Sequence, residues 1–175
     1  MKKNLVLLGM MGVGKTTLGK IVAKNQDLEF IDTDAFIEKK NSMSISKIFE
    51  KKGEKFFRTE EKKHILKLLK KNNSLIALGG GAFMNKDVRE KILKNSISIW
   101  LDININTLNK RIKWNQKRPL LKKGSSLIKL DEIYAQRKDI YKLANFKIVC
   151  DNFSKSEISK KIIELYEKYK NHSQN

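Results

Sequence analysis

Gly9-Met10-Met11-Gly12-Val13-Gly14-Lys15-Thr16 follows the apolar run Leu5-Val6-Leu7-Leu8 and precedes a helix-like segment, Leu18 to Lys24. Strand, glycine loop and helix in that order match the phosphate-binding pattern G-x-x-x-x-G-K-[ST]. The glycines let the backbone turn tightly and aim its N–H groups at polyphosphate oxygens, and the helix behind adds its positive dipole end. Gly12, Val13, Gly14, Lys15, Thr16 and Thr17 are therefore the expected nucleotide contacts. Lys15 would reach the β- and γ-phosphates, and the Thr16 hydroxyl would ligate Mg²⁺. A bare glycine turn explains the glycines but not Lys-Thr at the helix start.

Downstream, Leu28 to Ile31 reads as a second strand ending in Asp32-Thr33-Asp34. Carboxylates past a strand's carboxyl end lie where ligands bind in open α/β sheets, but an Asp there also caps a helix. Both readings stand for Asp32 and Asp34. Leu75 to Leu78 is a third strand, followed by Gly79-Gly80-Gly81. Three glycines in a row are costly in backbone entropy, so either the backbone approaches something closely or the turn is simply flexible. Ile97 to Leu101 and Phe146 to Val149 are the fourth and fifth strands. Asp102 ends the fourth and rivals Asp32 for the magnesium side.

Helical spacing fills the intervals. It covers Ser44 to Asn72 with a break at Gly53, Lys86 to Leu93 capped by Asn85, Thr107 to Trp114, Leu130 to Leu143, and a last amphipathic helix capped by Ser154. Strands alternating with helices predict one doubly wound α/β domain over 1–175 with a five-stranded parallel sheet. The polar, basic stretch 115–129 holds Arg118 and the one proline, Pro119. A loop of that length in a compact domain is usually functional, and it is expected to be a lid whose Arg118 contacts phosphate.

Composition sets the limits. At 175 residues and 40% hydrophobic the chain can bury a full sheet under helices. One cysteine, Cys150, and two distant histidines, His64 and His172, exclude an internal disulfide and a multi-cysteine zinc site. Lys2-Lys3 before an apolar run resembles the front of a secretory signal, but the run breaks at Lys15 with no small-residue cleavage pattern, so no signal is expected. No run of about 18 apolar residues exists to span a membrane. The net charge of +19 comes from 38 basic residues spread over every helix, which reads as lysine-covered solvated surface and not as a nucleic-acid site. Against that lysine background the five arginines, Arg58, Arg89, Arg111, Arg118 and Arg137, are candidates for positions that need a planar guanidinium fork.

Five motifs in order carry a family likeness. They are the loop Gly-Met-Met-Gly-Val-Gly-Lys-Thr, then Phe30-Ile31-Asp32-Thr33-Asp34, then Gly53-Glu54-x-x-Phe57-Arg58-x-x-Glu61, then Gly79-Gly80-Gly81, and last Arg118-Pro119-Leu120-Leu121. With them the chain resembles shikimate kinase from about Leu5 to Ile163. The resemblance implies a nucleoside-monophosphate-kinase-like P-loop fold with substrate-binding helices at about 33–72 and a lid at about 115–129. It implies a cytoplasmic enzyme of aromatic amino-acid biosynthesis, expected as a monomer without nucleic-acid or membrane partners, that uses ATP and Mg²⁺ to phosphorylate the 3-hydroxyl of shikimate. Asp34 would bind the substrate hydroxyls and act as a candidate base. Arg58 and Arg137 with Gly79, Gly80 and Gly81 would hold the carboxylate and ring. Arg118 would contact ATP phosphates, and Asp32 would join the Mg²⁺ shell. Adenine would lie near Arg111 and the loop from Cys150 to Phe153, although Cys150-Asp151-Asn152-Phe153 is not a close family signature. Two other classes compete: another small-metabolite kinase of this fold, such as a gluconate kinase, and a P-loop nucleic-acid-binding or switch protein.

Overall fold

The computed structural model describes residues 2–113 and 126–170. Five strands form one parallel sheet: β1 Asn4–Leu8, β2 Glu29–Asp32, β3 Ser74–Ala77, β4 Ser96–Asp102 and β5 Phe146–Val149, in the order β2-β3-β1-β4-β5. β1 is central because it is apolar on both faces, with Leu5 to Leu8 buried to 1% exposure or less, as a strand covered on both sides requires. Each such side chain contributes about 1.5–3 kcal/mol of burial. The helices are α1 Lys15–Gln26, α2 Thr33–Asn41, α3 Ile45–Leu68, α4 Lys86–Asn95, α5 Ile105–Lys113, α6 Ser126–Tyr141 and α7 Lys155–Tyr169. α1 packs beside α7, and α4 packs on β4 and against α3, so both faces of the sheet are covered.

Local signals set the helix starts. Asn85 and Ser154 cap α4 and α7 as expected, and Ser154 shares a capping box with Glu157. α6 begins at Ser126, four residues earlier than its apolar spacing indicates, so the last four residues of the expected lid are helix. Residues 115–125 of that lid, Arg118 among them, and His172 lie outside the described residues. The break at Gly53 is real: its φ of 81° and ψ of 163° interrupt α3 in a region open essentially to glycine alone. The bend lets Phe49 before it meet Phe57 after it, with ring centroids 5.0 Å apart. Ile37, Ile48 and Phe57 form a small core of their own there, separate from the main core on the sheet. Among the described residues no helix is long and apolar enough to cross a membrane.

Candidate active site

All the strands run one way, so their carboxyl ends share one edge, with β1 in the middle. The glycine loop leaves β1 at that edge and hands over to α1 through Gly14. Lys15 folds back across the loop, its Nζ donating to the Gly9 carbonyl at 2.9 Å and the Met10 carbonyl at 3.0 Å. Thr16, one residue on and exposed, donates its hydroxyl to Asp32 Oδ2 at 2.6 Å. The other Asp32 oxygen caps α2 by accepting the Asp34 and Ala35 N–H groups at 3.1 and 3.2 Å. The capping reading of Asp32 therefore holds on one oxygen, while the other meets Thr16 at the phosphate loop. Its rival Asp102 is occupied elsewhere, by Lys147 at 2.8 Å and the Tyr134 hydroxyl at 3.0 Å. The hydroxyl and carboxylate at Thr16 and Asp32 are hard oxygen donors beside a phosphate loop, and they fit Mg²⁺, which takes one or two protein oxygens and completes its octahedron with water and phosphate.

The glycine triplet lies on the β3 side of that loop. Buried Thr33 fastens it to α2, donating to the Ala77 carbonyl at 3.3 Å and accepting the Gly79 N–H at 2.9 Å. The triplet is needed for close approach. A Cβ on Gly79 would sit 2.5 Å from both Asp34 Oδ1 and Glu61 Oε1, and one on Gly81 would sit 2.7 Å from both terminal nitrogens of Arg58. At Gly80 the same position is 3.2 Å from Arg137 Nη1 and 3.6 Å from the Met11 nitrogen of the phosphate loop. Asp34, Arg58 and Arg137 thus converge on Gly79 to Gly81, next to the loop that holds Lys15. Arg58, Arg137 and Gly81 line a cavity of about 390 Å³ together with Glu61, Met84 and Asn85.

Three members of this cluster were given no role from the sequence. Glu61 is 2% exposed. Its Oε2 accepts from Arg58 Nη1 at 2.8 Å, while Oε1 has no hydrogen-bond partner among the described residues. Burial pushes the Glu61 carboxyl above the usual carboxylate range and Asp34 adds to this, while Arg58 and Arg137 oppose it. Glu54 takes the other edge of the Arg58 fork at 3.2 Å. Tyr141, fully buried on α6, donates its hydroxyl to the Gly80 carbonyl. The available signals were the i,i+3 and i,i+4 spacings Arg58–Glu61, Glu54–Arg58 and Arg137–Tyr141, which put each pair on one helix face.

The remaining arginines divide. Arg89 donates to the Phe83 and Met84 carbonyls at 3.1 Å and so holds the short 3₁₀ turn that follows the triplet. Arg111, exposed on α5, lies within electrostatic reach of Cys150, whose thiol burial pushes up to about 11. In the same loop Asp151 ties to α5 by accepting the Asn104 N–H at 2.9 Å and the Thr107 hydroxyl at 3.2 Å. Phe153 stays partly exposed with Lys161 Nζ 3.2 Å from its ring centroid. The structure therefore divides the edge in two, with a crowded polar cleft beyond β2 and β3 and, beyond β4 and β5, a loop that Asp151 ties to the start of α5.

Comparison with known proteins gives the family and the fold. A family profile described as shikimate kinase matches residues 11–167. A shikimate kinase of Sulfurihydrogenibium sp. (strain YO3AOP1) is 40% identical over 161 residues, covering 92% of this chain and 96% of that one. A solved structure of shikimate kinase from Acinetobacter baumannii in complex with shikimate superposes with a TM-score of 0.91 at 31% identity, over 98% of this chain and 97% of the other. A gluconokinase from Sinorhizobium meliloti 1021 has a TM-score of 0.64 at 13% identity, covering 97% and 94% of the two chains, a likeness of fold alone.

Proposed function

The chain belongs to the shikimate kinase family, whose reaction is Mg²⁺-dependent transfer of the ATP γ-phosphate to the 3-hydroxyl of shikimate, and we propose that the residues over Gly79 to Gly81 and around Lys15 carry it here. The observation behind this assignment is the convergence of Asp34, Arg58 and Arg137 on the triplet beside the phosphate loop. Shikimate presents a carboxylate and three hydroxyls. Two guanidinium forks grip the first, and Asp34 accepts from a hydroxyl.

Phosphoryl transfer asks the protein for position and charge neutralisation. Lys15 leaves its loop carbonyls to meet the β- and γ-phosphates, while backbone N–H groups of Gly12 to Thr17 cradle them. Thr16 and Asp32 would hold Mg²⁺, which when bound neutralises charge on the phosphate oxygens. Asp34, half-buried against Gly79, orients the attacking hydroxyl and stands ready to take its proton. Glu61 fixes Arg58 from beneath, with its second oxygen buried against Gly79. The family likeness gives Arg118 a contact with the ATP phosphates, and Arg111 with Phe153 flanks the base. The reading extends to a cytoplasmic monomer, which sedimentation of the purified protein would check. The direct experiment is ATP consumption with Mg²⁺ across a panel of hydroxy acids, with products identified by mass. Turnover with shikimate giving its monophosphate is the expected result, and turnover with gluconate alone would overturn the reading.

A further inference from the structure

The helix that carries Arg137 is fastened to the sheet at two points on one of its faces. Tyr134, Arg137 and Tyr141 fall at i, i+3 and i+7 of α6, which puts them on a common side. Tyr141 bonds the Gly80 carbonyl, after β3. Tyr134 donates to Asp102 Oδ1 at 3.0 Å, at the end of β4. These two strands flank β1 on opposite sides, so α6 bridges the central strand with Arg137 between its two ties.

Asp102 makes a firm post. Its Oδ2 pairs with Lys147 Nζ at 2.8 Å, its Oδ1 also accepts the Ile103 N–H at 3.0 Å, and β4 is paired on both sides, with β1 and β5. Lys147 in turn lies 4.4 Å from the Trp100 ring centroid. Burial and the Asp102 carboxylate push the Tyr134 phenol up to about 12, so it remains a donor at any ordinary pH. Tyr134 is not among the residues that line the cavity, whereas Gln136 and Arg137 are. The guanidinium of Arg137 lies 3.2 Å from the Cβ position on Gly80, so a small tilt of α6 about the Tyr141 tie changes the distance that matters. The cost of misplacing a positioning group is steep.

We propose that Tyr134 is a positioning residue: its hydrogen bond to Asp102 sets the pitch of α6 and thereby places the Arg137 guanidinium over Gly80, so that shikimate affinity depends on a side chain outside the cavity. The inference rests on reading Arg137 as a contact of the substrate carboxylate.

The test uses the full chain with Tyr134→Phe, which loses one oxygen and keeps the ring. The shikimate KM rises about three- to tenfold, while kcat and the ATP KM stay within about twofold, as expected for a lost positioning bond. Asp102→Ala, which removes the acceptor, gives the same rise, and the two changes combined give no more. In an Arg137→Lys background, Tyr134→Phe changes the shikimate KM by less than about twofold, since the fork to be positioned is already gone. An unchanged shikimate KM in Tyr134→Phe overturns the proposal. So does an equal rise in both KM values, or a full additive loss on top of Arg137→Lys. Should Tyr134→Phe fail to fold, the Asp102→Ala and Arg137→Lys pair decides by the same additivity. A wild-type protein inert toward shikimate, or Arg137→Lys with an unaltered shikimate KM, would instead remove the premise about the site itself.

Discussion

Beyond β2 and β3, Asp34, Glu61, Arg58 and Arg137 crowd over three glycines, next to the Thr16–Asp32 pair. Beyond β4 and β5, the acidic groups are used up inside the protein: Asp102 by Lys147 and Tyr134, and Asp151 by the start of α5. Both regions follow apolar strands at the same sheet edge. The difference is that one gathers carboxylates and guanidinium forks around a cavity beside the phosphate loop, while the other ties its acids to its own loops and helices. A charged residue at a strand end is thus a candidate for chemistry when its partner belongs to the phosphate loop, as Thr16 does for Asp32, and not when its partners only fasten the fold, as Lys147 and Tyr134 do for Asp102.

The sharpest way to break this contrast is to remove one aspartate from each side. Asp32→Ala takes away the partner of Thr16, and kcat is expected to fall about 100-fold or more, as for loss of a preorganised electrostatic group. Asp102→Asn keeps an acceptor for Tyr134 and should cost less than about fivefold. Saturating-substrate assays on both variants decide, and a larger loss at Asp102 would reverse the assignment of the two regions. Next in size is Gly79→Ala. Its methyl carbon would lie 2.5 Å from oxygens of both Asp34 and Glu61, and forcing them apart should cost about 2 kcal/mol. That corresponds to a rise of about 30-fold in the shikimate KM, with nucleotide affinity little changed. Equal losses for both ligands would mean that the turn, not the carboxylate pair, had moved.

Arg58→Lys keeps the charge and loses the fork that Glu54 and Glu61 hold flat. The shikimate KM should rise about tenfold, or about 1.4 kcal/mol. Unaltered kinetics would take Arg58 out of the site. The smallest effect concerns stability. His64 on α3 stacks on Phe36 of α2 with ring centroids 3.4 Å apart. Burial, with Lys40 and Lys67 nearby, lowers its pKa from 6.5 to about 4. Above pH 6.5 neither the folded nor the unfolded chain binds that proton. Between 6.5 and 4 only the unfolded chain does, so stability is full at neutral pH and declines as the solution is acidified. The imidazole is partly solvated, which limits the decline to about 1 kcal/mol. Urea midpoints at two pH values should fall further for the wild type than for His64→Gln. Identical declines would clear His64.

Local signals made much of this legible in the sequence. The glycine loop announced β1 and α1, short apolar runs marked all five strands, and Asn85 and Ser154 marked their helices. Asp34, Arg58 and Arg137 were singled out too, but their mutual distance is a property of the sheet order, which no short window carries. Glu61 stood in a quoted motif but without a role, because a carboxylate three residues after an arginine on a helix is an ordinary surface pair until tertiary packing buries it. Tyr134 and Tyr141 were hidden for a related reason, since their partners are residues 32 and 61 positions away. The start of α6 at Ser126 was missed because the stretch 115–129 was read from its polar, basic composition as one loop.

The bend at Gly53 gives the substrate corner a mechanical independence. Ile37, Ile48 and Phe57 make a nucleus that the main core does not share, closed across a residue whose dihedral angles few others tolerate. Amides of α2 and early α3 should then exchange with solvent through partial opening, while those of β1 wait for the whole chain to unfold. A grip that loosens without melting the sheet can admit and discharge a small molecule while the phosphate cradle stays in shape.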